Sequence, residues 1–366
     1  MAAGGHGIGR EALETYLRGV LDPAARILDL KRLGEATDHD VKRYGYGTAV
    51  EVVYELDGST RRAVFQTVRP GPYGHEAMPD RAQLLLSNHE TFGRLPRHAR
   101  SLDIGAIHRD GRLASLGDCE EFFIVTEHVD GAGHQEDFYR LRDTDELTAQ
   151  DLGRADRLCD YLAEIHALRH DAPGLYRRRI RDLVGHGECI MGLNDGYPDR
   201  YGFIDRALLE DIEHRAVVWR WRLRDFQHRL RQVHGDFHPW NILFTGNDEF
   251  RVLDRSRGEW GEPADDVTCL TVNYLFFSLQ RSGRLEGSFD TLFQRFWARY
   301  LEATGDREML DVAAPFFAFR GLVIGSPVWY PDLSGDTRRA IFAFIRNVLA
   351  AGSFDPARVN EYAEAR

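Results

Sequence analysis

Four polar residues in the second half of the chain have the types and the spacing that phosphoryl transfer requires. His234, Asp236 and Asn241 lie within residues 233–244 in the pattern H-x-D-x-x-x-x-N, and Asp254 follows shortly afterwards. A carboxylate can orient a hydroxyl group and take its proton, while an amide oxygen and a second carboxylate can hold Mg²⁺ against phosphates. We therefore predict that Asp236 is the catalytic base and that Asn241 and Asp254 bind Mg²⁺.

A short pair of strands is expected to bring the last of these residues back to the loop. Residues 242–244 and 250–254 have the pattern of strands, and residues 245–249 form a turn between them. Because a hairpin folds back on itself, Asp254 should lie close to Asn241. The hairpin stands between helices, where it has little packing role, so we interpret it as a device that presents two metal ligands.

The same stretch allows one alternative, a metal-dependent hydrolase. His234 and His238 are separated by four positions, with Asp236 between them, and such a spacing binds zinc when it lies on one face of a helix. Gly235 and Pro239 disfavour a helix here. The sequence therefore favours phosphoryl transfer over zinc chemistry.

The remaining sequence divides into a strand-rich part and a helical part. The first part is expected to hold strands at residues 40–44, 49–56, 62–68, 99–108 and 121–129, of which 62–68 shows apolar alternation, and helices at 10–21 and 80–92. Helical periodicity in the second part predicts helices at residues 152–168, 206–232, 266–282, 289–303, 306–323 and 336–350. We therefore predict an α+β fold with an N-terminal lobe at residues 1–129 and a helical C-terminal lobe at residues 130–366.

Composition argues against several other classes of protein. The formal net charge of −11 disfavours a nucleic-acid partner, which would require a basic face. The four cysteines are scattered and form no CxxC pair, so neither a structural zinc site nor a disulfide framework is expected. No apolar run approaches the length of a membrane span, and the N-terminus lacks the pattern of a signal peptide. We expect a cytoplasmic protein without a membrane partner.

The stretch His-Gly-Asp-Phe-His-Pro-Trp-Asn at residues 234–241 resembles the catalytic loop of the aminoglycoside phosphotransferase and choline kinase-like family, H-G-D-x-x-x-x-N. That family has a protein-kinase-like fold of two lobes. Residues 252–254 and 258–266 resemble its metal-binding strand and the Gly-x-Pro-x-x-Asp segment that follows. The match implies that Asp266 is a structural carboxylate, which we expect to cap a helix beginning at Val267.

The resemblance implies further roles in a site for ATP, or GTP, and Mg²⁺. The strand predicted to end at residue 129 resembles the hinge against which adenine lies, and its candidate residues are Glu127, His128 and Val129. The turn at Gly45 and Gly47 would cover the phosphates with its backbone N–H groups. Residues 158–168 resemble the helix behind the catalytic loop. We expect His234 to bind the loop backbone, and His238 to orient Asp236 or the acceptor or simply to form part of the loop.

One position departs from the pattern of the family. The third strand carries Gln66 where the family has a lysine that contacts the α- and β-phosphates. Lysine occurs only at Lys31 and Lys42, and Lys42, next to the glycine turn, is the cation best placed to substitute, with Arg69 as the second candidate. Two other outcomes are open: Mg²⁺ supplies most of the charge neutralisation, or the protein binds a nucleotide without turnover.

The acceptor is a small molecule with a hydroxyl group, and its identity is open. Aminoglycosides, amino alcohols, sugars and other natural-product alcohols all fit the resemblance. Some residues that follow the catalytic segments are candidates for an acceptor pocket, namely Phe319, Arg320, Trp329 and Tyr330.

Overall fold

A three-stranded antiparallel sheet and the helices beside it form the first of two units. The computed structural model describes residues 9–33, 47–246 and 249–364, and the chain divides into the units Met1–Thr126 and Glu127–Arg366. The elements of the first unit are α1 (Arg10–Val20), β1 (Arg26–Leu33), β2 (Gly47–Leu56), β3 (Ser59–Val68), α2 (Met78–Phe92), β4 (Gly105–Ile107) and β5 (Leu113–Ser115).

The sheet of the first unit has the strand order β1-β2-β3. The predicted tight turn joins β2 to β3, and its residues Asp57 and Gly58 have φ angles of 50° and 71°. The amphipathic spacing of α1 places Leu13 and Leu17 on one face, where they pack into a small core with Ile27 of β1. The apolar periodicity therefore predicts both the helix and the face that it buries.

Two predicted strands of the first part differ from the structure, and a third is not tested by it. The strand predicted at residues 40–44 lies outside the described residues, and the one at 99–108 is reduced to the short β4. The strand predicted at residues 121–129 is wrong, since this segment pairs with no described strand and leaves Phe123 and Val125 90% and 83% exposed. An apolar pattern indicates which side chains a strand could bury. A strand also needs a neighbouring strand that provides hydrogen-bond partners for its backbone N–H and C=O groups.

Helices dominate the second unit. They are α3 (Gln135–Thr144), α4 (Ala149–Ala167), α5 (Pro173–Gly185), α6 (Ile190–Asp195), α7 (Arg206–Leu223), α8 (Ala264–Ser282), α9 (Gly287–Thr304), α10 (Met309–Val312), α11 (Ala314–Gly325), α12 (Gly335–Ala350) and α13 (Val359–Ala363). Short strands lie between them, namely β6 (Ala132–Gly133), β7 (Arg200–Tyr201), β8 (Ile204–Asp205), β9 (Arg231–Gln232), β10 (Ile242–Phe244), β11 (Phe250–Val252) and β12 (Trp260–Gly261).

The centre of this unit is α8, whose residues are buried almost from end to end. It packs against α3, α9 and α11, which accounts for its burial. The helix predicted at residues 306–323 is in fact two helices, because Pro315 lacks a backbone N–H and so falls in the first turn of a new helix, α11. The helix predicted at residues 206–232 ends at Leu223, and a single 3₁₀ turn and β9 follow it.

The predicted hairpin is present and forms part of a small sheet. β10 pairs with β11 in antiparallel register, with Ile242 opposite Val252 and Phe244 opposite Phe250, and β6 pairs with the other edge of β10. Asp254 therefore lies just beyond the end of β11. The predicted α+β class, with a sheet in the first part and mostly helices in the second, is confirmed. Within the described ranges, no helix combines the length and the apolar character that crossing a membrane would need.

Candidate functional site

A buried carboxylate holds the start of the loop that carries Asp236. Asp266, in the first turn of α8, accepts hydrogen bonds from the backbone N–H groups of His234 and Gly235, each with an N–O distance of 2.7 Å. The prediction that Asp266 is structural agrees with these bonds, but the prediction that it caps a helix from Val267 is wrong. α8 begins at Ala264, and both oxygens of Asp266 are already used by the loop.

Helix α4 supports this carboxylate from behind. His166 Nε2 lies 3.1 Å from Asp266 Oδ2, and the other ring nitrogen of His166 lies 2.8 Å from the hydroxyl of Tyr300. Burial raises the pKa of the Asp266 carboxyl, but the hydrogen bond and charge of His166 outweigh it, so the pKa falls below its usual range. The ring of Tyr161, also on α4, stacks against Phe237 of the loop. Residues 158–168 thus pack behind the loop, as the sequence implied.

His234 is a structural residue of the loop. Its Nδ1 accepts a hydrogen bond from the backbone N–H of Asp236 at 3.2 Å, and the ring makes a second hydrogen bond to the carbonyl of Leu253. Burial lowers the pKa of His234, so the ring stays neutral at pH 7. With both ring nitrogens engaged, His234 has no lone pair to offer a zinc ion, which argues against the hydrolase alternative.

The carboxylate of Asp236 lies among three potential cations. Its Oδ1 accepts hydrogen bonds from Nη1 of Arg320 at 2.6 Å and from Nη1 of Arg257 at 3.0 Å. His238 Nε2 lies 3.5 Å from Oδ2. Burial raises the pKa of Asp236, but the hydrogen bond from His238 and the charges of Arg320 and Arg257 hold it far below its usual range. Asp236 is therefore ionised at any physiological pH.

Two of the residues around Asp236 were missed in the sequence. Arg257, which follows β11, was not singled out, and neither was Asp265, whose Oδ1 accepts a hydrogen bond from Arg320 Nη2 at 2.6 Å. Both guanidinium groups lie over the ring of Phe319, with 4.8 Å from Arg257 Cζ to the ring centre and 4.5 Å from Arg320 Cζ. Arg320 offered a readable signal, because a single charge within the apolar helix α11 needs a buried partner.

Asn241 and Asp254 have the properties expected of metal ligands. The amide nitrogen of Asn241 donates to the backbone oxygen of Asp236 at 3.0 Å, which leaves the amide oxygen available. The backbone oxygen of Asn241 accepts from the N–H of Leu253 at 2.8 Å, so the hairpin brings the two candidate ligands close along the backbone. Asp254 is exposed and has a φ of 53°, a strained conformation that is often found at functional sites.

The carboxylate of Asp254 makes no hydrogen bond or ion pair with any residue that the structure describes. A carboxylate oxygen of Asp254 and the amide oxygen of Asn241 are both of the kind that Mg²⁺ prefers as ligands. In the described parts of the chain, no cluster of three or more His, Cys, Asp or Glu residues could hold a metal ion. A magnesium site would therefore depend on Asn241, Asp254 and the oxygens of a bound phosphate.

The predicted nucleotide-binding residues are only partly described. Gln66 is exposed on β3 opposite Ala49, while Lys42 and Gly45 lie outside the described residues. Gly47 begins β2, and a Cβ atom placed on it would lie 3.4 Å from Nε2 of Gln66. In the other unit, the proposed hinge residues Glu127 and His128 are exposed, Val129 is half-buried, and all three precede β6. Which cation replaces the missing lysine stays a prediction.

Arg320 should be essential for the stability of the second unit. Replacing Arg320 by methionine leaves Asp236 and Asp265 without their buried cation, so we expect the free energy of unfolding to fall by about 3–5 kcal/mol. The change is measured by urea denaturation at pH 7.5. The control is Arg299→Met, which breaks an exposed ion pair with Asp160 and should change stability by about 0–1 kcal/mol. Equal losses in the two variants would contradict a special role for Arg320.

Comparison with known proteins places the chain in a family. No curated protein matches it. Among solved structures, it is similar to choline kinase from Cryptosporidium parvum Iowa II, with 13% identity over 97% of this chain and 92% of the other, and a TM-score of 0.33. It is also similar to the choline kinase LicA from Streptococcus pneumoniae, with 12% identity over 93% of this chain and 98% of the other, and a TM-score of 0.35. A third is the Plasmodium vivax ethanolamine kinase, with 11% identity over 92% and 80% and a TM-score of 0.35.

The family itself follows from a match to a family model and not from these distant structures. The model of the phosphotransferase enzyme family matches residues 41–310, which is more than half of the chain and includes the catalytic loop and the hairpin. The predicted kinase-like resemblance is confirmed. This protein belongs to the phosphotransferase enzyme family.

Proposed function

We propose that this protein transfers the γ-phosphoryl group of ATP to a hydroxyl group of a small molecule. Membership of the phosphotransferase family supports the class of reaction. The observation that carries the proposal is the arrangement in the second unit, where Asn241 is hydrogen-bonded to the backbone of Asp236 and Asp254, which has no partner among the described residues, lies beyond the returning strand. One loop and one hairpin thus supply a base and two metal ligands.

In the proposed reaction, the acceptor hydroxyl donates a hydrogen bond to the carboxylate of Asp236. The oxygen of the acceptor forms a bond to the γ-phosphorus, the bond from that phosphorus to the leaving ADP oxygen breaks, and the hydroxyl proton passes to Asp236. Because the pKa of Asp236 is held low, this carboxylate is a weak base that mainly orients the acceptor. A weak base suffices, since the transition state of phosphoryl transfer is loose and the proton moves late.

The other groups of the site neutralise and hold the donor. A Mg²⁺ ion held by Asn241 and Asp254 would offset negative charge on the phosphates. We assign the base of the nucleotide to the backbone at Glu127, His128 and Val129. We further propose that the turn at Gly45 and Gly47 covers the phosphates, with Gln66 as a neutral donor and Lys42 as the cation. A cytoplasmic location would give such an enzyme its ATP.

The proposed metal ligand can be tested directly. Replacing Asp254 by asparagine removes a negative oxygen ligand, so we expect the Mg²⁺ concentration for half-maximal activity to rise by about 10–100-fold. Acceptor-dependent ADP release is measured in a magnesium titration. The control is Glu249→Gln, which removes an exposed carboxylate from the same hairpin and should leave the magnesium requirement unchanged. An unchanged requirement in Asp254→Asn would remove Asp254 from the metal site.

A second function, a binding protein without turnover, follows from the glutamine at position 66. It would bind Mg·ATP, measured by calorimetry, but release no ADP with any acceptor of a broad panel. Acceptor-dependent ADP release that disappears without Mg²⁺ would exclude this alternative.

A further inference from the structure

Of the three basic side chains beside Asp236, Arg257 and His238 reach solvent, whereas Arg320 is buried. The side chain of Asp236 is 15% exposed, that of Arg257 is 22% exposed and that of His238 is 28% exposed. Arg320 lies on the buried side of the same carboxylate. An acceptor whose hydroxyl contacts Asp236 therefore has Arg257 and His238 as its solvent-exposed basic neighbours.

The two arginines beside Asp236 hold unused hydrogen-bonding capacity in a rigid arrangement. The Nε atoms of Arg257 and Arg320 are buried, and neither has a hydrogen-bond partner within the described ranges. The guanidinium of Arg257 lies over Phe319, so this partly exposed side chain needs little reordering to bind a ligand through its outer nitrogens. A planar, prearranged guanidinium is the group that best recognises a carboxylate or a phosphate.

A third arginine, Arg255, contacts the backbone at the start of the loop. Arg320 and Arg257 are paired with Asp236 and Asp265. Arg255, in contrast, donates hydrogen bonds only to backbone carbonyl groups, so its charge has no carboxylate partner among the described residues. This guanidinium thus adds a positive charge at the start of the loop, next to the backbone of Val233.

We propose that the acceptor carries a negative charge, as a carboxylate or a phosphate, close to the hydroxyl that is phosphorylated. This inference rests on the proposed function and names the class of its acceptor. Arg257, which reaches solvent, is assigned the contact with the anionic group, and Asp236 contacts the hydroxyl. A cationic acceptor, such as an amino alcohol or an aminoglycoside, would instead bring its charge against Arg257 and, when protonated, His238.

Matched acceptors that differ mainly in charge test the proposal. One set is glycerate, glycerol and choline, and a second, larger set is gluconate, glucose and glucosamine. Because a hydrogen bond to a charged group contributes more than a neutral one, we expect kcat/KM for the anion to exceed that for the neutral compound by about tenfold to a hundredfold in at least one set. Titration calorimetry with a non-hydrolysable ATP analogue and Mg²⁺ should give the same order of affinity.

Substitution of Arg257 provides the second arm of the test. In Arg257→Gln, the ratio of kcat/KM for the anionic acceptor to that for its neutral partner should fall about tenfold or more. The ratio is the readout, because Arg257 also contacts Asp236 and its loss will slow every acceptor. The control is Arg251→Gln, an exposed arginine of the hairpin that donates only to the backbone of Phe250, in which the ratio should not change.

The outcomes separate this inference from the function on which it rests. The inference of an anionic acceptor would be overturned by any of three results. These are a higher kcat/KM for the cationic compounds, equal kcat/KM for the three charges, or failure of both anions to bind at millimolar concentration. If cations or neutral compounds are phosphorylated, the proposed function stands. Failure to bind Mg·ATP would overturn the proposed function itself.

Discussion

Replacing Asp236 by asparagine is expected to slow phosphoryl transfer by about 10²–10⁴-fold, because the acceptor loses the group that orients its hydroxyl and takes its proton. Asparagine keeps the size of the side chain and one oxygen that can accept from Arg320 or Arg257. The affinity for Mg·ATP should therefore change little, since the proposed metal ligands are Asn241 and Asp254. Initial rates and calorimetric nucleotide binding measure the two effects separately.

The pH dependence distinguishes this role from that of a base with an ordinary pKa. The pKa of Asp236 is held far below its usual range by His238, Arg320 and Arg257 against the effect of burial. The carboxylate is thus ionised throughout pH 5–9, and the ratio of wild-type to variant rates should be constant over this interval. A ratio that rises through the interval would show that another protonation state of Asp236 carries the reaction.

The matched control for Asp236 is a carboxylate that pairs with arginine on the surface. Asp160 accepts two hydrogen bonds from Arg299 and is well exposed, so Asp160→Asn should retain wild-type rates. Full activity in Asp236→Asn, with nucleotide binding intact, would mean that some other group serves the acceptor.

The catalytic loop and hairpin were readable from the sequence because their geometry is local. Asp236 and Asn241 share one loop, and a turn of a few residues returns the chain to Asp254, so spacing alone predicts their proximity. Arg320 reaches Asp236 from 84 positions away. Such a contact depends on how α11 packs against α8, and no short-range pattern encodes that packing.

The apolar segment before residue 127 was predicted to be a strand, and the structure shows none there. Residues 122–125 form a continuous apolar run and the family resemblance favoured a strand here, yet this segment has no partner strand among the described residues. Strand formation depends on a neighbour that local sequence does not specify. The turn at Gly45, where the sequence pattern was weakest, lies outside the described residues and stays a prediction.

Replacing Asp266 by alanine is expected to lower the free energy of unfolding by about 3–5 kcal/mol and to abolish activity with it. Asp266 is fully buried, and its loss leaves the N–H groups of His234 and Gly235 without acceptors and His166 without its carboxylate partner. Buried backbone donors without partners destabilise the fold, and here they also begin the catalytic loop. Urea denaturation at pH 7.5 measures the loss.

The comparison of Asp266→Ala with two other variants isolates the cause. In Asp266→Asn, one amide oxygen can replace only part of the acceptor capacity, so both stability and activity should lie between those of the wild type and the alanine variant. Asp336 also lies in the first turn of a helix, α12, but is exposed, and Asp336→Ala should leave the unfolding free energy nearly unchanged. Equal effects at positions 266 and 336 would mean that only the helix dipole is involved.

The effect of Asp266 should also depend on pH in a defined direction. Because hydrogen bonding and charge from His166 outweigh burial, the pKa of Asp266 is lower in the folded protein than in the unfolded chain. The stabilisation from its ionised form is therefore fully present above the unfolded pKa of about 3.9 and is lost as the pH falls below that value towards the folded pKa. The difference in unfolding free energy between wild type and Asp266→Asn should accordingly be constant from pH 5 to 8 and shrink below about pH 4. A difference that grows on acidification would show that Asp266 is protonated in the folded state and holds the loop as a neutral acid.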